Sequence, residues 1–228
     1  MFNCGPILIA GTFLAALAEW WAVWKGWKRL EYFAKPTVMI ALFAWLVKTA
    51  GLQGALLWFG IGILFSLAGD VFMLLNDHLS ERYFSLGLGA FLLAHLAYIV
   101  GFSFNLVEVP VFWAGMLALI LALGAGRLLR RITSGMRAKG LKGLVAPVWV
   151  YGIVISVMLF SAMLTLSRLD WKALPAMLVS MGAFLFYISD IILAWNRFVT
   201  PIRNGRVINI AIYHLGQIAL IIGVALQF

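Results

Sequence analysis

A chain of 228 residues that is 64% hydrophobic and only 11% charged cannot present a water-compatible surface, because soluble domains carry roughly 25% charged residues. Its mean hydropathy of +1.05 makes lipid the solvent. The formal net charge of +9 would suit nucleic acid as a partner, but the cations fall in short stretches between apolar segments. That placement is a signature of membrane topology and argues against a nucleic-acid patch.

A membrane-spanning helix needs about 20 mostly apolar residues. Eight such segments follow one another along the chain, at 7–24, 36–50, 53–75, 83–104, 110–126, 144–166, 173–195 and 207–226. The expected fold is therefore all-α, a polytopic membrane helical bundle forming one transmembrane domain over 1–228. The first segment contains Ala16-Leu17-Ala18, which resembles a signal-peptidase site, but no basic residue precedes it and the segment reads as a retained helix. The second and fifth segments are short. Pro36, Pro110 and Pro147 each fall where a first helical turn is expected, and there the missing N–H costs nothing. Trp20, Trp21, Trp24, Trp27, Trp171 and Trp195 stand near segment ends, as interfacial aromatics do. Cys4 is the single cysteine, so there is no disulfide framework and no cysteine-built metal site.

Lysine and arginine divide unevenly between the two sides. With eight spans, the connections after the first, third, fifth and seventh hold all but three of the 17 cations, and Lys48, Arg168 and Lys172 lie on the opposite side. The positive-inside rule then places the rich side in the cytoplasm and both termini outside. Arg203 and Arg206 read as orientation charges, and Asp77, Glu81 and Arg82 as solvated charge in a short connection.

The third and seventh segments carry related features. The third runs through Phe65-Ser66-Leu67-Ala68-Gly69 to Asp70, and the seventh through Leu185-Phe186-Tyr187-Ile188-Ser189 to Asp190. His95-Leu96 follows Asp70 by 25 residues, and His214-Leu215 follows Asp190 by 24. The pattern suggests two four-helix halves, 1–105 and 106–228, arranged as parallel repeats, since four spans return the chain to its starting side.

Ionisable groups within spans are expensive and are functional candidates. At 1.5 Å per residue, Asp70 and Asp190 are expected roughly 9 Å inside the cytoplasmic boundary. Each must pair, protonate or line a wet cavity; the bland alternative is a buried ion pair that staples helices. Helical spacing aligns Ser66, Asp70 and Asp77 on one face, Tyr187, Asp190 and Arg197 on another, and Asn209, Tyr213 and Gln217 on a third. His95 shares a face with Tyr98 and would otherwise be a hydrogen-bonded core histidine. Glu19 reads equally well as a headgroup-layer charge. No HExxH, P-loop or GxSxG pattern occurs, so metal, nucleotide and serine-hydrolase chemistry have no sequence support. No cofactor is expected.

The run from Gly182 through Asp190, continuing through Leu193-Ala194 to Asn196-Arg197-Phe198, resembles the lysoplasmalogenase family, the YhhN-like multi-pass membrane proteins. Further resemblance lies in Gly69-Asp70, Gly87-Leu88 with His95 and Tyr98, Lys35-Pro36, Tyr151, and Tyr213 with Gln217. His214 stands where a second tyrosine is usual. The resemblance implies hydrolysis of the vinyl ether bond of a lysophospholipid, lysoplasmalogen, to a fatty aldehyde and glycerophospho-choline or -ethanolamine. Such hydrolysis needs a proton on the β-carbon and water on the resulting oxocarbenium ion. Inverting glycosidases meet a related cation with one protonated and one ionised carboxyl, and Asp70 and Asp190 are the expected pair. His95, Tyr151, Tyr187, Ser189, Tyr213 and Gln217 would support them and position water; Lys35 and Arg197 would hold the phosphate. The competing expectation is a small lipid or metabolite transporter or binding protein, for which duplicated halves are common. Clustering of the polar residues toward one side argues against it.

Overall fold

The computed structural model describes residues 5–76, 82–105 and 107–228. Cys4, Asp77 and Glu81, considered above, lie outside them. The described residues form eight long helices: α1 (Gly5–Lys25), α2 (Lys28–Thr49), α3 (Ala55–Asn76), α4 (Arg82–Phe102), α5 (Val111–Ala138), α6 (Val145–Leu164), α7 (Ala173–Phe198) and α8 (Gly205–Gln227). Single 3₁₀ turns flank α6 at Lys142–Leu144 and Thr165–Ser167. Eight segments are long and apolar enough to cross a membrane, and large apolar side chains such as Leu14, Phe33, Phe112 and Leu119 stay exposed as lipid-facing groups would.

Two expected short helices are longer. α2 begins at Lys28, so Pro36 lies well inside it rather than in its first turn, where it cannot donate a helical bond to the Tyr32 carbonyl. α5 runs on through Arg127, Arg130, Arg131 and Arg137, which were expected in a connecting loop. The extension is amphipathic: Leu129, Ile132, Thr133 and Met136 are buried, whereas those arginines are exposed. An inward stripe at i, i+3, i+4 and i+7 holds the helix after the apolar run ends. Pro110 caps the start of α5 and Pro147 occupies the first turn of α6.

Trp171, expected at an interface, is buried, and so is Arg168. The Arg168 guanidinium donates Nε to Asp170 Oδ1 at 3.0 Å and Nη2 to Oδ2 at 2.7 Å. It also donates Nη2 to the Asn105 carbonyl at 3.1 Å. It therefore ties the connection between α6 and α7 to the chain that precedes α5. The hydrogen bonds from Arg168, partly opposed by desolvation, hold the Asp170 carboxyl below its ordinary value.

The chain divides into two compact units, Met1–Phe104 with Ile221–Phe228, and Asn105–Leu220. In the first, α1 packs on α2, α2 on α3, and α3 on α4. The α3–α4 contact is close because glycines admit aromatic rings: Gly62 lies against Tyr98, Gly69 against Phe91, and Gly101 against Phe59. In the second, α5, α6 and α7 pack on one another, and Gly182 of α7 lies against the backbone of Gly216 and Leu220 in α8. Burial follows the sequence correspondence. Gly62, Ile63, Ser66 and Gly69 are buried, as are Gly182, Ala183, Phe186 and Ser189, each 120 residues further on. Ala94, His95, Ala97 and Tyr98 are likewise matched by buried Tyr213, His214, Gly216 and Gln217.

Candidate active site

In the first unit, Asp70 projects from α3 with 1% of its surface exposed, and its Oδ1 lies 3.5 Å from the Lys35 ammonium on α2. Helical periodicity explains the arrangement. Lys35 belongs to the inward stripe of α2 with Glu31, Val38, Met39 and Leu42, and Asp70 follows buried Ser66 by one turn of α3. Lys35 was expected near the surface as a phosphate ligand; it is instead buried and faces Asp70. His95 is fully buried on α4. Glu31 is also buried, with Oε2 at 3.5 Å from the half-exposed Lys28. Glu19 is fully buried on α1, in line with Thr12, Ala16 and Ala22, and so does not sit at a headgroup-facing position.

In the second unit, Asp190 is half-buried on α7 and accepts a hydrogen bond at Oδ2 from the phenol of Tyr151 on α6. The next turn of the same interface brings Ser156 Oγ to 3.5 Å from the Tyr187 hydroxyl. Tyr187 and Asp190 therefore share the face of α7 that meets α6, as their i, i+3 spacing requires. The fully buried hydroxyl of Ser189 is spent on its own helix, donating to the Phe186 carbonyl at 2.7 Å. The Ser189 carbonyl accepts from Asn209 Nδ2 of α8 at 2.5 Å. Tyr213 is buried with its ring 5.2 Å from Phe186 and 5.3 Å from His214, and Gln217 is fully buried one turn on. Arg197 lies at the end of α7, where its carbonyl accepts from Lys139 at 2.9 Å. The Asn196 side chain accepts from the Ile202 amide at 2.6 Å and fixes the turn into α8.

Each aspartate thus stands beside a proton-bearing partner inside apolar helices, Lys35 for Asp70 and Tyr151 for Asp190. A carboxyl so placed can exchange a proton with a reacting group while bulk water is held off. Sequence reasoning passed over Ser156, did not assign Asn209 to the site, and left Glu19 undecided between a functional group and a headgroup-layer charge. The available signal for Glu19 was the small-residue stripe around it, Thr12, Ala16 and Ala22, which marks a helix face packed closely on another helix.

These features define a polytopic all-α membrane protein with ionisable groups built into its spanning helices. The chain belongs to the YhhN family, whose model matches residues 30–224. It is 26% identical over 218 residues to human lysoplasmalogenase TMEM86B, covering 91% of this chain and 82% of that protein. The mouse lysoplasmalogenase TMEM86B is 26% identical over 220 residues, with 92% and 83% covered. Human lysoplasmalogenase TMEM86A is 28% identical over 159 residues, with 69% and 60% covered. No solved structure matches.

Proposed function

We propose that the chain is a membrane hydrolase that cleaves the vinyl ether bond of a lysoplasmalogen, using carboxylates for acid and base catalysis. The products are a fatty aldehyde and a glycerophospho-choline or -ethanolamine. The observation that carries the reading is the pair of aspartates in apolar helices, each beside a proton-bearing partner, in a chain whose relatives are named lysoplasmalogenases. Proton transfer to the β-carbon of the enol ether converts the C=C–O unit into an oxocarbenium ion. Water adds to the cationic carbon and loses a proton to a base. The hemiacetal so formed collapses to aldehyde as the glycerol oxygen leaves with a proton. Asp70 and Asp190 are the proposed carboxyls, one delivering the first proton and the other taking the proton of water.

Lys35 is assigned to Asp70, and Tyr151 to Asp190. Arg197, at the end of α7, is the proposed ligand of the phosphate. Tyr187, Ser189, Tyr213 and Gln217 are proposed as supporting polar groups in the unit that holds Asp190, and His95 in the unit that holds Asp70. The distribution of cations supports a site open to the cytoplasm, with both termini outside.

The chemistry is tested by supplying purified protein with three lysophospholipids that share one headgroup and differ in the sn-1 bond: 1-alkenyl, 1-alkyl and 1-acyl. In D2O the expected product from the alkenyl substrate alone is an aldehyde carrying one deuterium on the carbon next to the carbonyl, because that carbon receives the catalytic proton. Equal turnover of the acyl substrate would replace this reading with an esterase. Uptake of intact lipid without any product would replace it with a transporter.

A further inference from the structure

Glu19 is a carboxylate that the proposed reaction leaves without a part. It is fully buried, and burying a charge within apolar helices is costly unless a counter-charge meets it. The hairpin of α1 and α2 fixes its depth. Glu19 stands six residues before the end of α1 at Lys25, and Lys35 stands seven after the start of α2 at Lys28, with only Gly26 and Trp27 between the helices. At 1.5 Å per residue the two are about 9 and 10.5 Å from the same end. Asp70, six residues before the end of α3 at Asn76, is about 9 Å in from the end of α3 that adjoins α4. Because α1, α2 and α3 pack in sequence, three charged groups on three neighbouring helices share one depth. Glu19 lies on the buried face of α1, and that helix packs on α2. Among the described residues of this unit, Lys35 is the one lysine or arginine that is buried. Glu31 is about a turn shallower and faces Lys28 at 3.5 Å.

We propose that Glu19 is a positioning residue of the active site, holding the Lys35 ammonium from the side opposite Asp70. The lysine stem is flexible and carries three donors. The Asp70 carboxylate at 3.5 Å restrains it from one side. A second at the same depth fixes the ammonium, and with it the orientation of the Asp70 carboxyl toward the substrate. The inference rests on the reading that Asp70 takes part in turnover.

The test uses purified full-length protein and aldehyde release from 1-alkenyl lysophospholipid, with folding of each variant followed by size-exclusion profile and thermal melt. Glu19→Gln is expected to lower kcat about tenfold or more, the scale on which supporting groups act, and to leave KM near its original value. Glu19→Asp recovers part of the loss, while Glu31→Gln leaves kcat unchanged. Because Glu19 acts through Lys35, the Glu19→Gln/Lys35→Met double variant is no slower than Lys35→Met alone. Wild-type kcat in Glu19→Gln beside an inactive Asp70→Asn overturns the inference and leaves the hydrolase reading intact. Multiplying losses in the double variant also overturn it. Full turnover in Asp70→Asn sinks the catalytic reading itself. Should Glu19→Gln not fold, Glu19→Asp decides: a lowered kcat at unchanged KM is expected, and a wild-type kcat is the contrary result.

Discussion

Asp70 and Asp190 occupy corresponding places in the sequence but meet different chemistry. Asp70 faces an ammonium and is sealed from solvent; Asp190 accepts a phenol hydrogen bond and is half-buried. A buried ion pair is a poor source of stability, but removing one partner strands the other charge and costs about 3–5 kcal/mol. Lys35→Met should therefore lower the thermal midpoint sharply, and adding Asp70→Asn should restore part of it, the part due to the stranded Asp70 charge. A double variant as unstable as the sum of the single ones would show that the two groups are not coupled. Arg168 and Asp170 give a pH-dependent case outside the spans. The carboxyl is held below its ordinary value of 3.8, so its contribution is fully present above about pH 4 and fades as pH falls through the lower folded value. Because Asp170 is about a third exposed, the contribution is at most about 1 kcal/mol. The midpoint difference between wild type and Asp170→Asn should be small at neutral pH and absent in strong acid; a gap that widens on acidification would contradict the assignment.

At the scale of elements, close helix contacts rest on particular glycines. A Cβ on Gly182 would lie 2.5 Å from the Leu220 amide nitrogen and 2.6 Å from the Gly216 carbonyl oxygen, and backbone cannot give way as a side-chain tip can. Gly182→Ala should cost about 1–3 kcal/mol. Gly115→Ala, where the added carbon meets nothing within 4 Å, should be neutral or slightly stabilising; equal melts for both variants would contradict this packing. Apolar runs located each of the eight spans among the described residues because a bilayer demands them. They misjudged two helices because a helix does not end where its lipid contact ends. The 28 residues of α5 reach about 42 Å, well beyond a hydrocarbon core of about 30 Å. The stripe of Leu129, Ile132, Thr133 and Met136 was legible but was overridden by the arginines between its members. Pro36 misled in another way: proline favours a first turn, yet the upstream stripe from Glu31 through Ala34 and Lys35 packs well enough to carry the helix through it.

At the scale of the molecule, the membrane-spanning class and family followed from hydropathy and from motifs placed on spans. Partners of the site residues did not, because Lys35–Asp70 and Tyr151–Asp190 join helices far apart in sequence, and spacing along one helix carries no record of its neighbours. The same limit left Glu19 undecided between the interior and the headgroup layer. Topology is the prediction proper to this scale. A periplasmic-type reporter such as alkaline phosphatase should be active when fused after Phe228 and silent when fused at Gly140. The reverse pattern would turn the site toward the outside.

The central claim is carboxylate-dependent cleavage of a vinyl ether, and the most direct measurement is aldehyde release from lysoplasmalogen by purified wild type, Asp70→Asn and Asp190→Asn, each confirmed folded. The account predicts release by wild type and a loss of at least about a hundredfold in each variant, the scale of general acid–base catalysis. Undiminished release by either variant would contradict it.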